Sequence, residues 1–130
     1  MSLNNGETFR FSKEFRLLDS KDFSHMRSSS DSFRSRSFII YFKHSRLEIS
    51  HFRLGMSVSK KTGNAPRRNC IKRDLREFFR TSQLRPFAYD FFVVVSPKLK
   101  SLEKSELKSV LKADLMRFER FFLNRMAVAS

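Results

Sequence analysis

One cysteine, three histidines and three glycines are spread over 130 residues, and each shortage closes a class of explanation. Cys70 alone excludes an internal disulfide, and no Cys/His cluster has zinc-ligand spacing. His25, His44 and His51 are far apart in sequence. No Gly-rich loop with a phosphate-binding lysine is present. No apolar run approaches the ~20 residues that a membrane-spanning helix needs. The N-terminal stretch MSLNNGETFRFSKEFR lacks the apolar core of a signal peptide, so a cytoplasmic protein with no membrane partner is expected. Acids are scarce as well, at 13 Asp+Glu against 27 Lys+Arg. Around Asp19–Asp22 and Glu103–Glu106 they form isolated pairs, whereas a nuclease that holds its own metals needs clustered carboxylates. Neither catalytic residues nor a protein-held metal are therefore expected.

What the chain does have is apolar residues for one core and a large excess of cations. Hydrophobic residues make up 40% of the sequence, enough for one folded domain of this length. The net charge of +14 costs stability through self-repulsion and points to a polyanion as partner, with nucleic acid ahead of an anionic membrane surface.

Residues 1–18 are polar and unpatterned and read as a mobile arm whose aromatics Phe9, Phe11 and Phe15 can tuck against the body. Asp19 or Ser20 can cap a short helix over DSKDFSHMR. The Ser-rich RSSSDSFRSRS after it reads as a solvated turn. SFIIYFKHS is a strand, with Phe38, Ile40 and Phe42 on one face and Ile39, Tyr41 and Lys43 on the other. HFRLGMSVS is a second strand, with Phe52, Leu54, Met56 and Val58 facing in and His51, Arg53, Gly55 and Ser57 facing out. The two are expected to form an antiparallel pair. Asn64 caps a helix that has Pro66 in its first turn and runs to about Thr81. FFVVVS, apolar on both faces, should be the most buried strand. A last helix spans about Leu102 to Asn124, with a core stripe of Leu107, Val110, Leu111, Leu115, Phe118, Phe121 and Phe122. The expected organisation is an arm over 1–18, one folded domain over 19–124 that binds a polyanion, and a tail over 125–130. The fold class is α+β, a small sheet packed with helices.

The stretch KKTGNAPRRNCIKRDLREFFR crowds cations onto a few helical turns, where like charges repel. With Ile71 at zero and about 100° per residue, Ile71, Leu75, Phe78 and Phe79 share one sector. Asn69, Lys72, Arg73, Arg76 and Arg80 share a second sector, and Cys70, Asp74 and Glu77 a third. The acids therefore sit at the wrong angle to neutralise the basic stripe. Lys60 and Lys61 stand just before the helix, whose N-terminal amides also attract phosphate. This pattern is read as a site for a phosphate backbone. A basic membrane helix would keep its apolar residues for lipid, and this helix needs them for the sheet.

Over SVSKKTGNAPRRNCIKRDLREFFR the chain closely resembles the protein subunit of bacterial ribonuclease P. Gly63, Asn64, Ala65, Arg68, Asn69, Ile71, Lys72, Arg73, Arg76 and Glu77 match the family signature. RLLDSKDF, SFIIYF and YDFFVVVSP match its flanks, so that the resemblance covers roughly Phe15 to Leu123. It implies a ribosomal-S5-like (domain 2) two-layer sandwich with a βαβ crossover, left-handed in this family. It also implies an accessory subunit of an endoribonuclease holoenzyme. There a catalytic RNA, using Mg2+ bound mainly by RNA, removes the 5′ leader from precursor tRNA. By the same resemblance Lys60, Lys61, Asn64, Arg68, Asn69, Lys72, Arg73 and Arg76 contact the catalytic RNA, while Phe23, Arg27, Tyr41 and Lys43 lie on the leader path. Taken by sequence alone, Phe23 and Tyr41 suit a core role as well. No obligate protein partner is implied.

Two positions depart from the family pattern. Cys70 stands where the signature has a third basic residue, which implies weaker RNA binding with the site retained. Arg27 stands where another aromatic is common, and a guanidinium there can stack on a base or pair with phosphate. The rival reading is a structural RNA-binding protein of ribosomal type with no part in cleavage. The length of the signature from Gly63 to Glu77 favours the ribonuclease P subunit.

Overall fold

The computed structural model describes residues 15–16, 24–26 and 30–129. Along the chain come strands β1 (Asp31–Arg34), β2 (Phe38–His44) and β3 (Arg53–Ser57), helix α1 (Ala65–Thr81), strand β4 (Tyr89–Val95) and helix α2 (Lys104–Ala129). Short 3-10 turns at Lys60–Thr62 and Pro97–Ser101 precede the two helices. Residues 24–26 form a helical turn; the rest of the helix expected over DSKDFSHMR lies outside the described residues.

The sheet order is β1-β2-β4-β3. Strand β4 is central, antiparallel to β2 and parallel to β3. The expected antiparallel pairing of β2 with β3 does not occur, because β4 lies between them. The reason is the composition of β4. Phe91, Val93 and Val95 are buried on one face, while Phe92 and Val94 are half-buried on the other. A strand that is apolar on both faces belongs where both of its edges are hydrogen-bonded. Parallel neighbours need a crossover rather than a hairpin, and α1 supplies it between β3 and β4.

The Ser-rich stretch read as a solvated turn contains β1. Only Phe33 of its four residues turns inward, meeting Phe118 at 5.4 Å and Phe121 at 5.1 Å. One apolar residue leaves no alternation to read. Helix α2 continues past Asn124 because its last turns also have contacts to make. Arg125 pairs with Asp31 of β1 at 3.0 Å and sits over the Phe42 ring.

Both helices pack on the face of the sheet formed by Phe38, Ile40, Phe42, Leu54, Phe91, Val93 and Val95. From α1 come Ile71, Leu75 and Phe79, and from α2 Leu107, Leu111, Leu115, Phe118 and Phe122, all buried. Val110 and Phe121 are half-buried at the edge of this stripe. Phe91 is the hub, with ring centroids 5.2 Å from Phe79, 5.7 Å from Phe118 and 5.3 Å from Phe122. Most of these pairs are tilted or edge-on, the arrangements that aromatic quadrupoles favour.

Three polar ties fix the layers. Ser37 Oγ donates to Asp114 Oδ2 at 2.5 Å, joining the β1–β2 turn to α2. Arg53 was expected on the wet face of β3, yet it is 5% exposed and its guanidinium is bidentate to Asp90 of β4, which is 0% exposed. The two contacts are Nε to Oδ1 at 3.0 Å and Nη2 to Oδ2 at 2.9 Å. Arg53 and Asp90 are register partners, so the pair fixes how the parallel strands align.

The third tie is Arg67. Asn64 caps α1 by accepting from the Arg67 amide at 3.0 Å. The Arg67 side chain then reaches the far turn, donating Nη2 to the carbonyls of Leu99 (2.7 Å) and Leu102 (2.6 Å). It passes so close to Gly63 that a Cβ there would lie 2.4 Å from Arg67 Cδ. Gly63 also has φ +148°, where side chains are rarely accommodated.

Asp90→Ala removes the buried carboxylate that pairs with Arg53, and urea unfolding should show a loss of about 3–5 kcal/mol; a loss under ~1 kcal/mol would mean that the pair is dispensable. Gly63→Ala should cost about 1–3 kcal/mol in the same assay, and an unchanged unfolding midpoint would contradict the close approach of Arg67.

Candidate nucleic-acid interface

Burying Ile71, Leu75 and Phe79 at 1%, 0% and 0% exposure fixes the rotation of α1 about its axis. The helical period then carries Arg68, Asn69, Lys72, Arg73 and Arg76 away from the core. Asn69 and Arg73 are exposed, and Arg68, Lys72 and Arg76 are half-buried. Lys60 and Lys61 are exposed on the 3-10 turn that leads into the helix. Among the described residues, Lys60, Lys61, Arg68, Lys72, Arg73 and Arg76 have no carboxylate partner.

Several of these side chains are held in place without being neutralised. Arg68 gives Nε to the Gly63 carbonyl at 3.2 Å, which uses one of its five donors. Arg73 directs Nη2 at Cys70 Sγ, 3.1 Å away. Burial, and then the nearby Arg16 guanidinium, lower the Arg76 pKa from its ordinary value. Asn64, expected among the RNA contacts, spends its side-chain oxygen on the helix cap; its amide nitrogen remains as a donor.

The acids behave less uniformly than their helix angle suggests. Asp74 turns to Lys108 of α2 at 3.2 Å, away from the stripe. Glu77 instead reaches Arg80, accepting from Nε at 3.1 Å and from Nη2 at 2.5 Å. That hydrogen bond is the main reason the Arg80 pKa is raised. The expectation that no acid neutralises the stripe therefore fails at Arg80, because long side chains three residues apart meet across the angle between their Cα positions. Cys70 lines a hollow of about 210 Å³ between α1 and α2 together with Asp74, Lys104 and Lys108, off the basic face as its helix angle implies.

The opposite face of the sheet carries a second group of residues. Tyr41 and Lys43 of β2 are half-buried there, with Tyr41 opposite Phe92 and Lys43 opposite Asp90. Lys43 Nζ donates to the His25 carbonyl at 3.2 Å, and His25 Nε2 lies 2.9 Å from the His44 carbonyl oxygen. These contacts hold the turn at 24–26 against the end of β2. Phe23 and Arg27, expected beside Tyr41 and Lys43, lie outside the described residues. Sequence reasoning missed Phe92, whose place inside an unbroken apolar run hid its alternation. It also missed Arg67 and Arg53, which resemble any other surface cation until the fold supplies their partners.

The described residues bring no three metal-ligating side chains together, and none of the described helices is long and apolar enough to cross a membrane.

Residues 11–119 match the family model for ribonuclease P. The ribonuclease P protein component of Staphylococcus epidermidis is 37% identical over 100 residues, covering 77% of this chain and 86% of the relative. Its counterpart in Staphylococcus aureus is 36% identical over the same length. Among solved structures, the ribonuclease P protein of Staphylococcus aureus superposes with a TM-score of 0.65 at 35% identity, covering 78% of this chain and 93% of that one. That of Thermotoga maritima gives 0.63 at 28% identity, covering 81% and 96%. With the family model spanning most of the length, and with the fold and the signature helix in agreement, the chain belongs to the ribonuclease P protein family.

Proposed function

We propose that this chain assists a catalytic RNA in removing the 5′ leader from precursor tRNA, binding the catalytic RNA through α1 and the single-stranded leader through the far face of the sheet. Family membership makes it a protein component of ribonuclease P, a tRNA-processing endoribonuclease. The observation that carries the finer reading is the row of cations on α1 that have no carboxylate partner among the described residues, on a helix whose other face is committed to the core. Phosphates that replace condensed counterions along Lys60, Lys61, Arg68, Lys72, Arg73 and Arg76 relieve the repulsion and gain the entropy of ion release. Asn64 and Asn69 add neutral donors at the same surface.

On the far face, Tyr41 offers a ring on which a leader base can stack, worth about 1–3 kcal/mol per base, and Lys43 offers a charge for the adjoining phosphate. Phe23 and Arg27 belong to this leader site in the proposal. The reading gives no protein side chain a bond-breaking role and assigns the Mg2+ of the reaction mainly to the RNA. It places the protein in the cytoplasm, as one domain, and requires no obligate protein partner.

Arg68→Ala or Lys72→Ala should weaken catalytic-RNA binding and flatten its salt dependence by about 0.7–0.9 in slope per phosphate contact; an unchanged slope in both would remove the phosphate assignment. Tyr41→Ala should impair binding of precursor tRNA bearing a leader more than binding of mature tRNA, and equal losses would make Tyr41 a packing residue. Restoring the signature charge with Cys70→Arg should tighten RNA binding, whereas no change would make that position peripheral.

A further inference from the structure

A short aromatic chain joins the N-terminal segment to α1. Phe15 is 9% exposed and packs on His51 at 4.3 Å and Phe52 at 5.2 Å. Phe52 in turn meets Phe79 of α1 at 5.6 Å. The Arg85 guanidinium lies over the Phe15 ring, 4.9 Å from its centroid. With Phe15 anchored in this way, the next residue, Arg16, bridges to Leu54 of β3 in parallel sense. The Arg16 backbone is therefore fixed at the outer edge of β3 while its side chain is exposed.

Arg76 lies three residues before Phe79, about one helical turn away and toward the basic stripe. It is half-buried, and that burial first, then the charge of Arg16, lowers its pKa from the ordinary value. Neither arginine has a carboxylate partner among the described residues. Two guanidinium groups held near each other on separately anchored backbones repel unless an anion lies between them. The planar forks of two arginines match the oxygens of one phosphate.

We propose that Arg16 and Arg76 form a clamp for one phosphate of the RNA backbone, extending the RNA-binding face from α1 onto the segment beside the edge of β3. This rests on the reading of α1 as an RNA-binding helix. Phe15 is then the anchor that places the clamp, and Arg16 is a binding residue outside the signature helix.

The test is equilibrium binding of the full-length protein to its cognate catalytic RNA across a salt series. It compares Arg16→Ala, Arg76→Ala, the double variant, and Lys72→Ala as a reference on α1. Each single variant should lose about three- to tenfold in affinity. The double variant should lose less than the product of the two and should flatten the salt slope by one phosphate, about 0.7–0.9, rather than two. Wild-type affinity for Arg16→Ala beside a weakened Lys72→Ala would overturn the clamp and leave the α1 reading standing, as would fully multiplicative losses. Unchanged binding in all four variants would remove the α1 reading itself. Without RNA, Arg16→Ala should melt no lower than the parent because its removal relieves repulsion; a clear drop in Tm would make Arg16 a folding residue and contradict the clamp.

Discussion

Repulsion among the cations of α1 is the constraint on which the rest of the arrangement depends. A helix that gathers Arg68, Lys72, Arg73 and Arg76 on one side is poorly stable alone, and among the described residues no acid pairs with them. The fold offsets this by burial. Ile71, Leu75 and Phe79 are nearly or fully withdrawn from solvent, each worth roughly 1.5–3 kcal/mol. The Asn64 cap and the Arg67 contacts to Leu99 and Leu102 hold the N-terminal end. Helicity is thus secured from the core side, and the outer side is free to carry charge for a partner.

The sheet divides the two proposed RNA surfaces. Its helix-covered face holds the aromatic core that supports α1, and its far face presents Tyr41, Lys43 and Phe92. Strand β4 contributes to both, through Phe91 in the core and Phe92 on the far side. The buried Arg53–Asp90 pair stiffens the same strands, and its Asp90 lies opposite Lys43 in the register with β2. A change in the alignment of β3 with β4 would move both surfaces at once. One rigid sheet therefore sets the geometry between the catalytic RNA and the leader in the proposed function.

Features with local causes were legible in the sequence. Asn64, Pro66 and the spacing of Ile71, Leu75 and Phe79 located α1 at Ala65–Thr81, and the apolar content of β4 marked it as the most buried strand. The pairing of β2 with β3 was misjudged, since adjacency in sequence says nothing of a later strand that inserts between them. Strand β1 was invisible because Phe33 alone faces inward. Arg53 and Arg67 could not be told from surface cations, as their partners, Asp90 and the carbonyls of Leu99 and Leu102, come from distant segments. Arg80 fell within the basic sector by angle, yet its side chain bends to Glu77.

The most direct test of the account is cleavage of a 5′-extended precursor tRNA at low magnesium, with the protein alone, the cognate catalytic RNA alone, and both together. The account predicts cleavage at the mature 5′ end only when the two are combined. Cleavage by the protein alone, after contaminating RNA is removed, would contradict the placing of catalysis in the RNA. Failure of the protein to assist a competent RNA would leave it a structural RNA-binding protein.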